Sequence, residues 1–218
     1  FFAWIKLFFW LYKIRPDGII CHNTSFILPC KAYSLLSGAS LIAVEHTNNQ
    51  LKRKRDWFFS LFALVIANKV VLLTESYKSE LENVFKYFNH KKKYQVIPNG
   101  VDIKKFPLIK FDNNKQHAKP IFTLGMAARF TDTKRQDLLL NAIKRVHESH
   151  YGKINLQLKL AGDGPELDRI RSLAKQLEIS SIVSFEGLIE ESKLPDWYKN
   201  INLYIHATDG ETLSISIL

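Results

Sequence analysis

Short apolar runs alternate with longer amphipathic stretches along most of this 218-residue chain. Apolar runs of four or five residues bounded by Gly, Pro or Asn are typical of buried strands, and the stretches between them have helical spacing. The predicted strands are 18–21, 41–44, 69–73, 94–97, 121–124, 156–160, 182–185 and 203–206. The predicted helices are 1–15, 26–36, 50–67, 76–88, 135–147, 166–177, 193–199 and 211–218. This alternation predicts an α/β fold, in which helices cover both faces of parallel sheets.

One segment interrupts the alternation and divides the chain. Residues 103–120 are polar, contain two prolines and show no periodicity, so they are predicted to form a linker. We therefore predict two Rossmann-like, doubly wound domains, at 1–102 and 121–218. The chain begins without Met and stops inside a predicted helix, so we expect an internal segment of a longer protein in which both domains are incomplete.

Charge is distributed unevenly between the two predicted domains. Up to residue 120 there are 19 Lys and Arg against 8 Asp and Glu, and beyond it 12 against 13, which gives the net charge of +10. Residues 52–55 (KRKR) precede the apolar residues 57–59 (WFF), and 91–93 are three lysines. Cations beside apolar anchors favour an anionic membrane surface over a nucleic-acid groove as the partner of the first domain, although either cluster alone is equally typical of a solvated face.

The opening stretch FFAWIKLFFWLYKIR is aromatic and basic. It is too short and too charged for a transmembrane span, and no small-residue cleavage site follows it. Lys6 and Lys13 lie seven residues apart, on one face of a helix. The helix is therefore expected either to pack in a core or to lie at a membrane surface. Only two cysteines occur in the chain, which favours a reducing, cytoplasmic setting.

Residues suited to anion binding follow the strands of the second domain. Arg129 and Lys134 bracket a loop that leads into a helix, where the helix dipole and free N–H groups favour phosphate. Ala161-Gly162-Asp163-Gly164-Pro165 follows the next strand, and its glycines permit a tight turn and a close backbone approach. Each signal is weak by itself, and a pair of surface cations is the alternative interpretation of Arg129 and Lys134.

The order and spacing of these motifs are more specific than any one of them. The motifs are IPNGVDIKKF at 97–106, Arg129 with Lys134, AGDGP at 161–165, VSFEGLI at 183–189 and DGETLSISIL at 209–218. In this arrangement the chain resembles the retaining family 4 glycosyltransferases, which have the GT-B fold. It departs from the family pattern at Ala128, where Gly is usual, and at 212–214, where Gly-Phe-Gly is usual.

The resemblance implies a role for each motif. Arg129 and Lys134 would neutralise the donor pyrophosphate as it leaves, so that no metal or other cofactor is required; Glu211 would contact hydroxyls of the donor sugar. His46 resembles an acceptor-side histidine, whereas His22 resembles a partly structural one, and a capping or core role is the alternative for both. The remaining donor-binding candidates are Gly162, Asp163, Gly164, Leu188, Ile189, Leu213 and Ser214.

The resemblance also implies an activity. The expected reaction is the transfer of a sugar from a UDP- or GDP-linked donor to a lipid-linked or surface-glycan acceptor, as in bacterial polysaccharide or lipopolysaccharide synthesis. The enzyme is expected to be cytoplasmic or peripheral to the membrane. The alternatives are a basic nucleic-acid-binding protein and an inactive truncated transferase. We also expect Glu at residue 219 of the intact protein, where it would hold the nucleotide ribose, and little activity from the 218 residues alone.

Overall fold

The computed structural model describes residues 2–47, 52–86, 93–106, 121–149, 155–211 and 213–218. The chain forms two compact units. Phe1–Asn99 make up the first unit together with Gly210–Ser214, and Gly100–Asp209 make up the second together with Ile215–Leu218. Most of the predicted linker, 107–120, lies outside the described residues, as do two lysines of the 91–93 cluster.

The first unit is built on a four-stranded parallel sheet of order β1-β2-β3-β4. Its strands are β1 (Gly18–Cys21), β2 (Ser40–Glu45), β3 (Lys69–Leu72) and β4 (Tyr94–Val96), and its helices are α1 (Phe2–Ile14), α2 (Ile27–Ser37), α3 (Lys54–Ile66) and α4 (Glu75–Val84). The core joins apolar residues of β2 and β3 to those of α2 and α3. Thr74 caps α4, because its hydroxyl accepts a hydrogen bond from the Tyr77 backbone N–H at 3.1 Å.

The second unit contains another four-stranded parallel sheet, of order β7-β6-β5-β8. The strands are β5 (Phe122–Ala127), β6 (Leu156–Ala161), β7 (Val183–Gly187) and β8 (Leu203–Tyr204), and the helices are α5 (Gln136–Ser149), α6 (Leu167–Gln176) and α7 (Leu194–Lys199). Its core is formed by the inward residues of β5 and β6 with apolar residues of α5 and α6. Gly125 makes room in β5 for the Ile201 side chain, because a Cβ at this position would lie 2.1 Å from Cδ1 of Ile201 and would displace it.

The prediction of a helix over 211–218 is wrong. Ile215–Ile217 form only a turn, and Leu213 and Ser214 have no regular structure. Thr, Ser and Ile occupy five of these eight positions, and β-branched and hydroxyl side chains have low helix propensity.

Helix α1 has one packed face and one exposed face. Leu11 is buried, and Trp4, Leu7 and Phe8 pack against the core of the first unit. The opposite side exposes Phe2, Ile5, Phe9, Trp10, Tyr12 and Ile14. The structure therefore supports core packing for one face and leaves an apolar surface on the other. Within the described residues, no helix combines the length and the apolar character needed to cross a membrane.

Candidate functional site

The second sheet changes winding direction beside β5. The chain passes from β5 to β6 to β7 on one side, and β8 then pairs with the other edge of β5. In open parallel sheets, ligands bind beyond the carboxyl ends of the strands at such a switch point. The loops that follow β5, β6 and β8 are therefore the first place to look for a site.

Arg129 lies in the loop after β5, with an exposed side chain. Its backbone carbonyl accepts a hydrogen bond from Gln136 Nε2 at 3.0 Å, and Gln136 is only 2% exposed. A buried amide thus fixes the main chain at Arg129. Gln136 was not among the predicted site residues, although its position at the start of α5 could have identified it.

Lys134 ends a short 3-10 helix, Asp132–Lys134, directly before α5. Its backbone N–H donates to the Thr131 carbonyl at 2.9 Å. The two predicted cations thus belong to one loop that feeds a helix N-terminus, which is the arrangement that phosphate groups favour.

The glycine loop after β6 is held by main-chain contacts to the loop after β5. Gly162 and Gly164 have φ values of +130° and +156°, and added Cβ atoms would lie 2.1 Å from the Ala128 carbonyl oxygen and 2.3 Å from that of Phe130. The Phe130 N–H donates to the Asp163 carbonyl at 3.0 Å. Both glycines are therefore required for the two loops to approach.

The side chain of Asp163 forms a hydrogen bond within its own loop. One of its carboxylate oxygens accepts from the Gly164 backbone N–H at 2.7 Å. Pro165 and Glu166 form a turn, and α6 begins at Leu167, one residue later than predicted. The end of β7 joins this network, because the Gly162 N–H donates to the Gly187 carbonyl at 2.7 Å. Leu188, directly after it, is 78% exposed, and Ile189 is half-buried.

Three predicted site residues lie near the end of the chain. Glu211, Leu213 and Ser214 belong to the segment that groups with the first unit. Leu213 and Ser214 lie in irregular structure, so they do not present helical N–H groups to a ligand.

The two histidines of the first unit form a direct pair. His22 Nδ1 and His46 Nε2 are 2.9 Å apart, and the rings stack with centroids 5.2 Å apart at an interplanar angle of 20°. Desolvation lowers the pKa of His46, the neighbouring His22 lowers it further, and Glu45 opposes both effects. Since one ring nitrogen must accept the shared hydrogen bond, the pair favours at least one neutral imidazole.

A buried ion pair joins the residue before His46 to Lys52 and was not predicted. Lys52 Nζ lies 3.0 Å from Glu45 Oε2, and the two side chains are 1% and 3% exposed. Lys52 also donates to Ser60 Oγ at 2.7 Å, and the Tyr77 hydroxyl donates to the Thr47 carbonyl at 2.6 Å. These contacts hold Glu45, Thr47 and Lys52 in place. Among the described residues, no group of three or more His, Cys, Asp or Glu side chains is suited to hold a metal ion.

Comparisons with known proteins match both halves of the chain. Residues 106–218 match the family model "Glycosyl transferases group 1", and residues 1–105 match "Glycosyltransferase Family 4". The alpha-monoglucosyldiacylglycerol synthase of Streptococcus pneumoniae is 31% identical over 132 residues, 57% of this chain and 29% of that protein. Protein CapJ of Staphylococcus aureus is 26% identical over 152 residues, 68% of this chain and 35% of that protein. The chain thus spans about a third of the length of these curated relatives.

Solved structures resemble the fold over nearly the whole chain. Anabaena HepE, crystallised with UDP and glucose, superposes with a TM-score of 0.78 at 16% identity, covering 98% of this chain and 58% of that one. TarM of S. aureus gives 0.77 at 19% identity, covering 96% and 41%. These likenesses confirm the predicted fold class, the GT-B type with two Rossmann-like parallel sheets.

Proposed function

Since this chain belongs to the glycosyl transferases group 1 family, we propose that the protein containing it transfers a sugar from a UDP- or GDP-linked donor, with retention of configuration, to a lipid-linked or surface-glycan acceptor. The observation that carries the donor proposal is the loop with Arg129 and Lys134 at the switch point of the second sheet. Support for the acceptor class comes from the names of two similar proteins, a glycolipid synthase and a lipopolysaccharide outer core galactosyltransferase.

The charge of the donor determines what Arg129 and Lys134 do. A nucleoside diphosphate leaves with more negative charge than it carried in the bound donor, so fixed cations stabilise the transition state more than the ground state. Two such cations beside a helix N-terminus meet this need without a divalent metal. In this proposal the donor phosphate also accepts the acceptor proton on the same face of the sugar.

Nucleotide and sugar-transfer measurements test the proposal. The protein containing this chain is titrated with UDP and GDP by calorimetry, then assayed with UDP-glucose, UDP-N-acetylglucosamine and GDP-mannose on diacylglycerol and glycolipid acceptors, with and without EDTA. We expect binding of one nucleotide and an α-linked product that forms in EDTA. Failure to bind either nucleotide, together with salt-sensitive binding to duplex DNA, would establish the nucleic-acid alternative instead.

The paired histidines give the proposed acceptor side a pH dependence. A neutral His46 can accept a hydrogen bond from an acceptor hydroxyl, so kcat/KM should fall as the pH drops through the pKa of His46. Because that pKa is lowered, the midpoint should lie below the ordinary value of 6.5. His22 contributes to the lowering, so His22→Asn should move the midpoint to higher pH. An unchanged pH profile of kcat/KM in this variant would mean that His46 does not cause the fall at low pH.

We also propose that an anionic membrane covers the exposed face of α1. Phe2, Phe9 and Trp10 are more than half exposed there. Lys6 and Lys13 belong to the same helix, and their charge complements acidic headgroups.

Vesicle sedimentation tests the membrane proposal. We expect binding to phosphatidylglycerol vesicles and none to phosphatidylcholine, with binding lost in Lys6→Glu/Lys13→Glu. A control variant of equal charge change, Lys175→Glu/Lys193→Glu, should still bind. Equal loss in both variants would mean that net charge alone, rather than this helix, controls the interaction.

A further inference from the structure

Arg135 adopts a backbone conformation that is unusual for its residue type. Its φ and ψ are 34° and 39°, in the left-handed region, between the 3-10 helix that ends at Lys134 and the start of α5. A non-glycine residue in this region costs of order 1–3 kcal/mol and persists only where surrounding contacts determine it. This turn sets the direction of the chain as it leaves Lys134.

The side chain of Arg135 supplies contacts that hold this turn. Its Nε and Nη2 donate to the two carboxylate oxygens of Asp137 at 3.1 and 3.2 Å. Its Nη1 donates to Asp209 Oδ2 at 2.9 Å. The guanidinium therefore bridges the first turn of α5 and the loop after β8, and its planar fork suits two carboxylates at once.

Backbone contacts join the same two loops at Thr133. Its carbonyl accepts hydrogen bonds from the Asp209 N–H at 2.7 Å and from the Thr208 hydroxyl at 3.1 Å. The loop after β8 is thus tied to the loop after β5 on both sides of Lys134 in sequence, through Thr133 and through Arg135. Asp209 precedes Glu211 by only two residues.

We propose that Arg135 is a positioning residue that couples the loop of Arg129 and Lys134 to the loop that leads into Glu211. The inference rests on the proposed function, since it assigns those loops to one donor. In this role Arg135 acts through the two loops rather than by contact with the donor. It sets the exit of the chain from Lys134 and fixes Asp209, so that the loop after β5 and the loop after β8 keep one relative placement.

Three substitutions separate this role from simple stability. Asp209→Asn weakens the link between the loops, whereas Asp137→Asn, the matched control, leaves that link in place. Arg135→Gly removes the guanidinium link, keeps the Thr133 contacts and accommodates the left-handed conformation without strain. Donor kcat and KM, melting temperature and nucleotide affinity are measured for each variant in the protein containing this chain.

We expect Asp209→Asn and Arg135→Gly to lower kcat by on the order of tenfold to a hundredfold, because small misplacements of a catalytic group have effects of this size. Donor KM should change less. Melting temperatures should stay close to wild type, since exposed ion pairs contribute little stability. Asp137→Asn should lower kcat less than Asp209→Asn does, because it weakens the turn but leaves the link between the two loops in place.

The outcomes distinguish the inference from the function on which it rests. If wild-type protein binds neither UDP nor GDP, the proposed function fails, and the inference fails with it. If wild type binds and turns over but Asp209→Asn and Arg135→Gly match it in kcat, only the inference is overturned. A kcat loss that appears equally in Asp137→Asn, or that follows melting temperature across the set, would also overturn it.

Discussion

Lys134→Ala is expected to lower turnover by about a hundred- to a thousandfold, the usual effect of losing one preorganised group that stabilises a developing charge. Lys134 is the last residue of the 3-10 helix before α5. It therefore belongs to the loop after β5, which the close approach of Gly162 and Gly164 holds in place. The donor pyrophosphate carries charge before reaction, so some affinity must also be lost. The added charge exists only as the glycosidic bond breaks, and kcat should therefore fall far more than affinity.

Steady-state kinetics on the protein containing this chain measure this split, with Lys175→Ala as the control. Lys175 is an exposed lysine in the last turn of α6. Because α6 starts at the carboxyl edge of the sheet and runs away from it, the loss of Lys175 should leave kcat unchanged. If Lys134→Ala raises only the donor KM, the lysine binds the donor without assisting its departure. If neither parameter changes, Lys134 is a surface cation, and the donor site lies elsewhere.

Arg129→Lys distinguishes geometry from charge at the other cation. An ammonium keeps the charge but cannot contact two phosphate oxygens through a planar fork. We expect a smaller loss of kcat than in Arg129→Ala. Equal losses in the two variants would show that the fork itself is needed.

Most of the fold could be predicted because strand boundaries are marked by residue type. Strand β1 matches its prediction, bounded by Pro16 and Asp17 before it and by polar residues after it. Strand β8 ends at Tyr204, two residues earlier than predicted, because only its first half pairs with β5. The apolar pattern identifies the residues of a strand, but it does not show how many of them pair with the neighbouring strand.

The candidate site was less predictable than the fold. Glycines 162 and 164 could be found because close backbone approach requires them. The positive φ of Arg135 could not be found, since arginine gives no local signal for a left-handed turn and its carboxylate partner Asp209 is distant in sequence. The pairing of Glu45 with Lys52 was missed for a related reason, because a lysine within a basic run has the composition of a solvated surface.

That buried pair gives the second large expected effect. Lys52→Met should lower the free energy of unfolding of the first unit by about 3–5 kcal/mol, the typical cost of leaving one buried charge without its partner. The Glu45 and Lys52 side chains are 3% and 1% exposed, and Glu45 Oε1 has no hydrogen-bond partner among the described residues. Without the ammonium, the remaining partner of Glu45 Oε2 among the described residues is the Tyr77 hydroxyl at 3.3 Å, whose one hydrogen is shared with the Thr47 carbonyl at 2.6 Å.

Chemical denaturation of the wild type and of the variant measures this loss. Lys54→Met, which removes a neighbouring exposed lysine, should have little effect on stability.

A double substitution completes the test. Glu45→Gln/Lys52→Met removes both charges and keeps an acceptor for the Tyr77 hydroxyl, so it should recover most of the stability that Lys52→Met loses. Recovery would assign the loss to the uncompensated carboxylate and leave the contact of the Lys52 ammonium with the Trp57 ring, 4.8 Å from Nζ to the centroid, as a minor contribution. If the double variant is as unstable as Lys52→Met, the other contacts of Lys52, with the Ser60 hydroxyl and the Trp57 ring, account for the loss.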